Sequence, residues 1–236
     1  MAITRYPRYW LELYRFWTEA RRTGAMQPTL RRLKPILDEA TAETAFDAHY
    51  VYHTAWAARI LRDSRPEDHV DVGSMILFVS MVSAFMPIRH YDYRPPAVEL
   101  DGLTVGQADL QGLPFADRSL ASLSCMHVVE HVGLGRYGDR LDPRGDHLAM
   151  SELQRVLAPG GQLLFVVPVG QPRVVFNAHR IYDFRQIVDA FGELKLERFD
   201  LITDGRNGRK LVWDADPALV EKQKFGCGCF VFRRPA

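Results

Sequence analysis

The stretch "GQADLQGLPFADRSLASLSCMHVVEHV", residues 106–132, is followed after a glycine- and arginine-rich loop by "SELQRVLAPGGQLLFVVPV", residues 151–169, and together they decide how the chain folds. A polar turn around "LPFAD" leads into a short strand pattern over 120–126. A helical pattern over 145–157 then stops at "LAPGG". Pro159 cannot continue a helix, and Gly160 and Gly161 accept the positive φ of a reversing turn. The fully apolar run over 162–168 reads as a buried parallel strand.

Working outward, short apolar runs keep alternating with helical patterns, which predicts a parallel sheet covered by helices. Strands are expected at 69–73, 88–92, 103–108, 120–126, 162–168, 195–203 and 225–233. Helices are expected at 8–22, 28–39, 46–63, 75–86, 145–157 and 183–191. The fold class is thus α/β, a doubly wound, Rossmann-like, seven-stranded, mostly parallel sheet. Its last strand follows the long "DGRNGRK" connection and suits an antiparallel insertion. Residues 1–45 read as an N-terminal helical extension, and 46–236 as the main domain.

The order and spacing of the 106–169 segment resemble the middle of class I S-adenosylmethionine-dependent methyltransferases. That family shows an acidic residue, a "LPF-D-S-D" turn, a strand into "LEH", a helix reading "E-RVLKPGG-L" and a further strand. The resemblance implies S-adenosyl-L-methionine as cofactor. It also implies that Asp109, with Leu110 beside it, meets the adenine amino group, and that His127 belongs to the cofactor side. Asp92 ends a strand about twenty residues past the first loop, where a carboxylate accepts hydrogen bonds from both ribose hydroxyls. Glu99, seven residues further on, competes for that role.

The first loop, "HVDVGSMILFVS" over residues 69–80, has Met75 and Ile76 where a dinucleotide loop would carry glycines. Those glycines serve a pyrophosphate at a helix N-terminus, and S-adenosylmethionine has only a carboxylate and an amine at that end. Asp71, Gly73 and the Ser74 hydroxyl are therefore assigned to the cofactor, on condition that the helix after Met75 leaves the space beside Gly73 open. The missing glycines, and the lack of a Tyr-x-x-x-Lys pair, disfavour a nicotinamide-dependent oxidoreductase. Upstream, Tyr50, Tyr52, His53 and Trp56 fall at helical spacing, which reads as core. In the resembled family a helix here closes over the methionine end, which implies Tyr52 and His53 as lid residues.

The acceptor is expected between the loops after the fourth and fifth strands. A hydroxyl acceptor must lose a proton as it attacks, and histidine suits that near neutrality. His179 and His131 are the candidate bases. Arg136, Tyr137, Arg144, Asn177 and Arg180 are the candidate acceptor contacts, their guanidinium groups suiting a phosphate or carboxylate. "DVGS", "HVVEHVGLGRYGD", "FNAHRIY" and "GCGCFVF" together are similar to a bacterial domain-of-unknown-function branch associated with surface polysaccharide assembly. That likeness implies O-methylation of a sugar or glycan hydroxyl. The alternative is a methyltransferase-fold protein that binds a glycan or scaffolds an assembly without transferring methyl groups.

The bulk numbers fit one substantial core: 236 residues, 27.0 kDa, 47% hydrophobic and 25% charged. A net charge of +1 calls for no nucleic-acid partner. Three cysteines are too few for a secreted disulfide framework, so a reducing cytoplasm is expected. The N-terminus shows no leader pattern, and no segment reaches the roughly 20 apolar residues that span a bilayer. Arg5, Arg8, Arg15, Arg21, Arg22, Arg31, Arg32 and Lys34 are interleaved with Tyr6, Tyr9, Trp10, Tyr14, Phe16 and Trp17. That mixture suits the inner membrane face, or a solvated helix packing its rings on the main domain or on a second copy in a homodimer. Cys227 and Cys229 share one strand face as small core residues. Without further cysteines or a nearby histidine, no metal is expected there.

Overall fold

The computed structural model describes residues 6–205 and 210–236; Arg5 and the middle of the 204–210 connection lie outside them. The chain forms two compact units, Met1–Phe46 and Asp47–Ala236. In the first, helix α1 (Tyr6–Thr23) buries Ala20 and leaves Trp10, Tyr14 and Phe16 exposed. No described helix is long and apolar enough to cross a membrane. The helix expected over 28–39 is only a 3-10 turn, Leu30–Arg32. Pro35 lacks an N–H and its ring clashes with the carbonyl four residues back, so an α-helix cannot pass.

The second unit begins with α2 (Ala48–Ser64), whose N-cap Asp47 accepts from the His49 and Tyr50 N–H groups. There follow β1 (His69–Val72), α3 (Ile76–Val82), β2 (Ile88–Asp92), β3 (Leu103–Gln107), β4 (Leu120–Met126), α4 (Gly145–Val156) and β5 (Leu157–Val169). A two-stranded ribbon, β6 (Arg173–Val175) and β7 (His179–Ile181), stands apart from the main sheet. Then come α5 (Phe184–Ala190), β8 (Lys195–Ile202), β9 (Leu211–Val212) and β10 (Gly226–Arg233). α5 opens with a capping box between Asp183 and Gln186.

The main sheet runs β3-β2-β1-β4-β5-β10-β8-β9. Strands β1 to β5 pair in parallel, and β10 is inserted antiparallel between β5 and β8. The short β9 adds an eighth strand to the seven expected. Period-two alternation divides the core between the two faces. Leu163, Phe165, Phe230 and Phe232 pack on one side; Trp56, Phe78, Val166, Cys227 and Cys229 pack on the other.

At "LAPGG" only Gly160 takes a positive φ, +73°. Gly161 is needed for space, because a Cβ there would lie 2.8 Å from the Ala158 carbonyl oxygen and 2.9 Å from that of Leu120. The strand order reverses between β1 and β4. Open α/β sheets form their ligand crevice at such a point, beyond the carboxyl ends of the strands.

Candidate functional site

The loop after β1 is built on a buried polar cluster. Asp71, fully buried, accepts from His90 Nδ1 at 2.8 Å, from the Ser74 N–H at 3.1 Å and from the Ser124 hydroxyl. Burial alone would raise the Asp71 carboxyl, but these hydrogen bonds and the charge on His90 prevail and hold it below the usual carboxylate range. Burial likewise lowers His90, and Asp71 outweighs it, so the imidazole titrates above its ordinary value.

Two expectations are corrected here. Asp71 has both oxygens committed to the protein, so it positions the loop and does not reach a ligand. The Ser74 hydroxyl is buried and accepts the Met126 N–H of β4 at 3.0 Å, so it too faces inward. Gly73, at φ +73°, donates its N–H to the Tyr91 carbonyl at 2.8 Å and presents its bare Cα to an open cavity. Neither Met75 nor Ile76 lines that cavity, so the start of α3 does not crowd it, and the close neighbour of Gly73 is Val128.

The cavity collects the ends of four parallel strands. Asp92 ends β2 and Arg94 follows it, Asp109 and Leu110 follow β3, and His127 and Val128 follow β4. One Asp92 oxygen accepts the Arg94 N–H at 2.7 Å, and one Asp109 oxygen accepts the Gln111 N–H at 2.9 Å. Each carboxylate is thereby fixed at the rim. Glu99 is exposed and lines a separate shallow hollow, which leaves Asp92 as the carboxylate in the cavity.

The opposite wall comes from the "HVVEHVGLGRYGD" loop. His127 holds φ +57°, its Nδ1 lies 2.8 Å from Glu130 Oε1, and its Nε2 lies 3.4 Å from Cys227 Sγ. Both ring nitrogens are thus engaged, and His127 offers the cavity only ring carbon. Burial pushes His127 down to about 4 and Glu130 up to about 7. Both shifts favour the uncharged forms, so one proton is shared along the short His127–Glu130 contact. Asp139 accepts the N–H groups of Gly133, Gly135 and Tyr137, which folds the glycine-rich loop around one carboxylate. The sequence reading missed Asp139, although an Asp closing a glycine run is a recognisable turn signal.

His131 lines the cavity, with Nδ1 at 2.6 Å from the Ala178 carbonyl. Nδ1 must carry the proton there, which leaves Nε2 with its lone pair. Glu130 Oε1 is 3.8 Å from Nε2, beyond hydrogen-bond range. Burial lowers His131, outweighing the opposing effect of Glu130, and favours the neutral ring. Arg136 donates to the same Ala178 carbonyl at 3.0 Å, and Tyr137 lies against the Arg94 guanidinium at 4.6 Å.

The ribbon carries other candidates away from the cavity. His179 packs its ring 4.9 Å from Phe225 and is not among the lining residues. Asn177 is exposed at the ribbon turn, and Arg144 is exposed at the start of α4. Arg180 is buried, 3.4 Å from Asp146 Oδ2, and donates to the Val132 carbonyl at 2.7 Å. It pins the glycine-rich loop to α4 and is not among the residues that line the cavity. On α2, Trp56 is core and donates to Asp200 at 2.6 Å, while His53 is fully buried with Nδ1 on the His49 carbonyl at 2.6 Å. Neither is a lid.

With this geometry in place, the similarities are informative. The family described as Caenorhabditis protein of unknown function, DUF268, matches residues 116–195, about a third of the chain. No curated protein matches. Among solved structures, the N-methyltransferase NodS from Bradyrhizobium japonicum WM9, in complex with S-adenosyl-l-homocysteine, is similar with a TM-score of 0.57 at 13% identity, over 84% of this chain and 93% of that one. A putative sarcosine dimethylglycine methyltransferase from Galdieria sulphuraria gives 0.55 at 12% identity, over 78% and 86%. The putative methyltransferase complexed with the Trm112 activator from Haloferax volcanii gives 0.53 at 20% identity, over 80% and 91%. The chain therefore has the Rossmann-like fold of S-adenosylmethionine-dependent methyltransferases.

Proposed function

We propose that the protein is an S-adenosylmethionine-dependent methyltransferase acting on an oxygen acceptor, a sugar or glycan hydroxyl. The observation that carries this reading is the cavity at the strand-order reversal, where Gly73, Asp92, Asp109 and His131 meet. Asp92 accepts from the ribose hydroxyls, Asp109 and Leu110 hold the adenine, and Gly73 gives room for the methionine end. S-adenosylmethionine held there would supply the methyl group to an acceptor oxygen, with S-adenosylhomocysteine as the leaving product. His131 Nε2 takes the acceptor's proton. Arg94 and Tyr137 at the rim, with Arg136 exposed on the same loop though outside the lining, favour a polar or anionic acceptor.

Calorimetry with S-adenosylhomocysteine tests the cofactor assignment. Stoichiometric binding is expected, with a raised melting temperature and an affinity weakened roughly 10- to 100-fold by Asp92→Ala. No heat and no thermal shift at millimolar ligand would sink the reading.

The second reading, a glycan-binding protein without transferase activity, draws support from the inward-turned Ser74 hydroxyl and Gly73 N–H. Glycan binding that persists while S-adenosylhomocysteine fails to bind would favour it. The exposed Trp10, Tyr14 and Phe16 beside basic residues support a cytoplasmic protein touching the inner membrane face. Co-sedimentation with anionic vesicles checks that contact, and light scattering checks a homodimer.

A further inference from the structure

Three side chains from distant parts of the sequence converge behind the His127 wall of the cavity. His49 lies in the first turn of α2, His127 follows β4, and Cys227 is the second residue of β10. One nitrogen or sulfur atom from each lies within 4.8 Å of the other two. The His49 and His127 rings are nearly parallel, at 12°, with centroids 5.4 Å apart.

We propose that His49, His127 and Cys227 bind one zinc-type transition-metal ion, independently of what the cavity holds. A thiolate with two imidazoles is a borderline-soft donor set, suited to zinc and unsuited to calcium or magnesium. Nitrogen at about 2.1 Å and sulfur at about 2.3 Å from a tetrahedral ion lie about 3.5 Å apart. The observed separation of His127 Nε2 and Cys227 Sγ is 3.4 Å. The third donor lies within 4.8 Å of the other two, so closing the set takes an adjustment of up to about 1.3 Å.

The surroundings point the same way. The Glu130 carboxylate on His127 Nδ1 reproduces the carboxylate–histidine arrangement that orients a metal ligand and leaves Nε2 as the donor. His127 holds a positive φ that L side chains rarely adopt, and its Nε2 faces Cys227. The N-cap Asp47 fixes the His49 N–H, and His53 fixes the His49 carbonyl, so the first turn of α2 is anchored where the donor sits. Cys229, on the same strand face, is outside the group. Three protein donors leave a fourth position for water, and the ion ties α2, the β4 loop and β10 together.

The test uses the full chain stripped with a chelator and titrated with Co²⁺ and Zn²⁺. Saturable one-to-one binding is expected, with a thiolate-to-cobalt charge-transfer band, tetrahedral cobalt absorption and a higher melting temperature with either ion. The band should vanish in Cys227→Ser, weaken by roughly tenfold or more in affinity in His49→Ala, and persist in Cys125→Ser, whose thiol lies elsewhere in the core. No saturable binding to the wild-type chain would overturn the proposal whatever the variants do. A band that survives Cys227→Ser would overturn it equally, and unchanged affinity in His49→Ala would reduce the contact to a thiol–imidazole pair.

Discussion

Gly73 is constrained in two independent ways. Its φ of +73° costs an L side chain about 1–2 kcal/mol, and a Cβ there would meet Val128 Cγ1 at 2.8 Å. Gly73→Ala is therefore expected to lose about 2 kcal/mol or more of unfolding free energy in guanidinium. Adding Val128→Ala should recover the steric part and leave the backbone part. If the single variant matches wild type, the tight approach of the two loops is wrong. At this scale the placement of Gly73, Asp92 and Asp109 at the crevice was legible, because position at the end of a parallel strand already puts a residue there. Asp71 and Ser74 were not. Their direction depends on Ser124, which the register places opposite Asp71, and on the N–H of Met126, both more than 50 positions away.

Elements were read well where one hydrophobic period ran unbroken, and poorly where backbone chemistry or a small ribbon intervened. Pro35 stops the second expected helix. The β6–β7 ribbon had no periodic signature of its own, yet it takes His179 and Asn177 out of the cavity and brings the Ala178 carbonyl to His131. Arg180 leaves the same ribbon in the other direction, into an ion pair with buried Asp146, whose Oδ2 also accepts the Tyr182 hydroxyl at 3.0 Å. Removing one partner of a buried pair typically costs about 3–5 kcal/mol. Arg180→Ala should lower stability on that scale, measured by denaturant unfolding. Arg136→Ala, at an exposed side chain, should leave stability within about 0.5 kcal/mol. Equal stabilities for the two variants would restore Arg180 as an acceptor contact.

For the whole molecule, the centre of the sheet is polar where it supports the site. His69, fully buried on β1, has Nδ1 2.7 Å from Ser122 Oγ and Nε2 2.9 Å from Ser124 Oγ. Burial lowers its pKa from 6.5 to about 4, overriding the nearby acids Asp71 and Asp68. Between those values the unfolded chain binds a proton that the folded chain refuses. Stability from this residue is therefore full above 6.5 and is lost as pH falls through about 4. A shift of that size is worth on the order of 3 kcal/mol. The stability of wild type relative to His69→Gln should fall across this window. A difference that does not change with pH would show that His69 is not held neutral.

The local pattern of the sequence determined the α/β class, the succession of strands and helices, the antiparallel last strand and the strand-end residues, because periodicity and turn chemistry act over a few residues. It also placed Cys227 and Cys229 on one face. Only the tertiary structure decided which side chains turn into the cavity, that His131 and not His179 lines it, and that His49 and His127 close on Cys227. Those outcomes depend on register and on pairings up to 100 residues apart. Each requires the whole sheet to form before the groups can meet, and no local stretch of the chain carries that information.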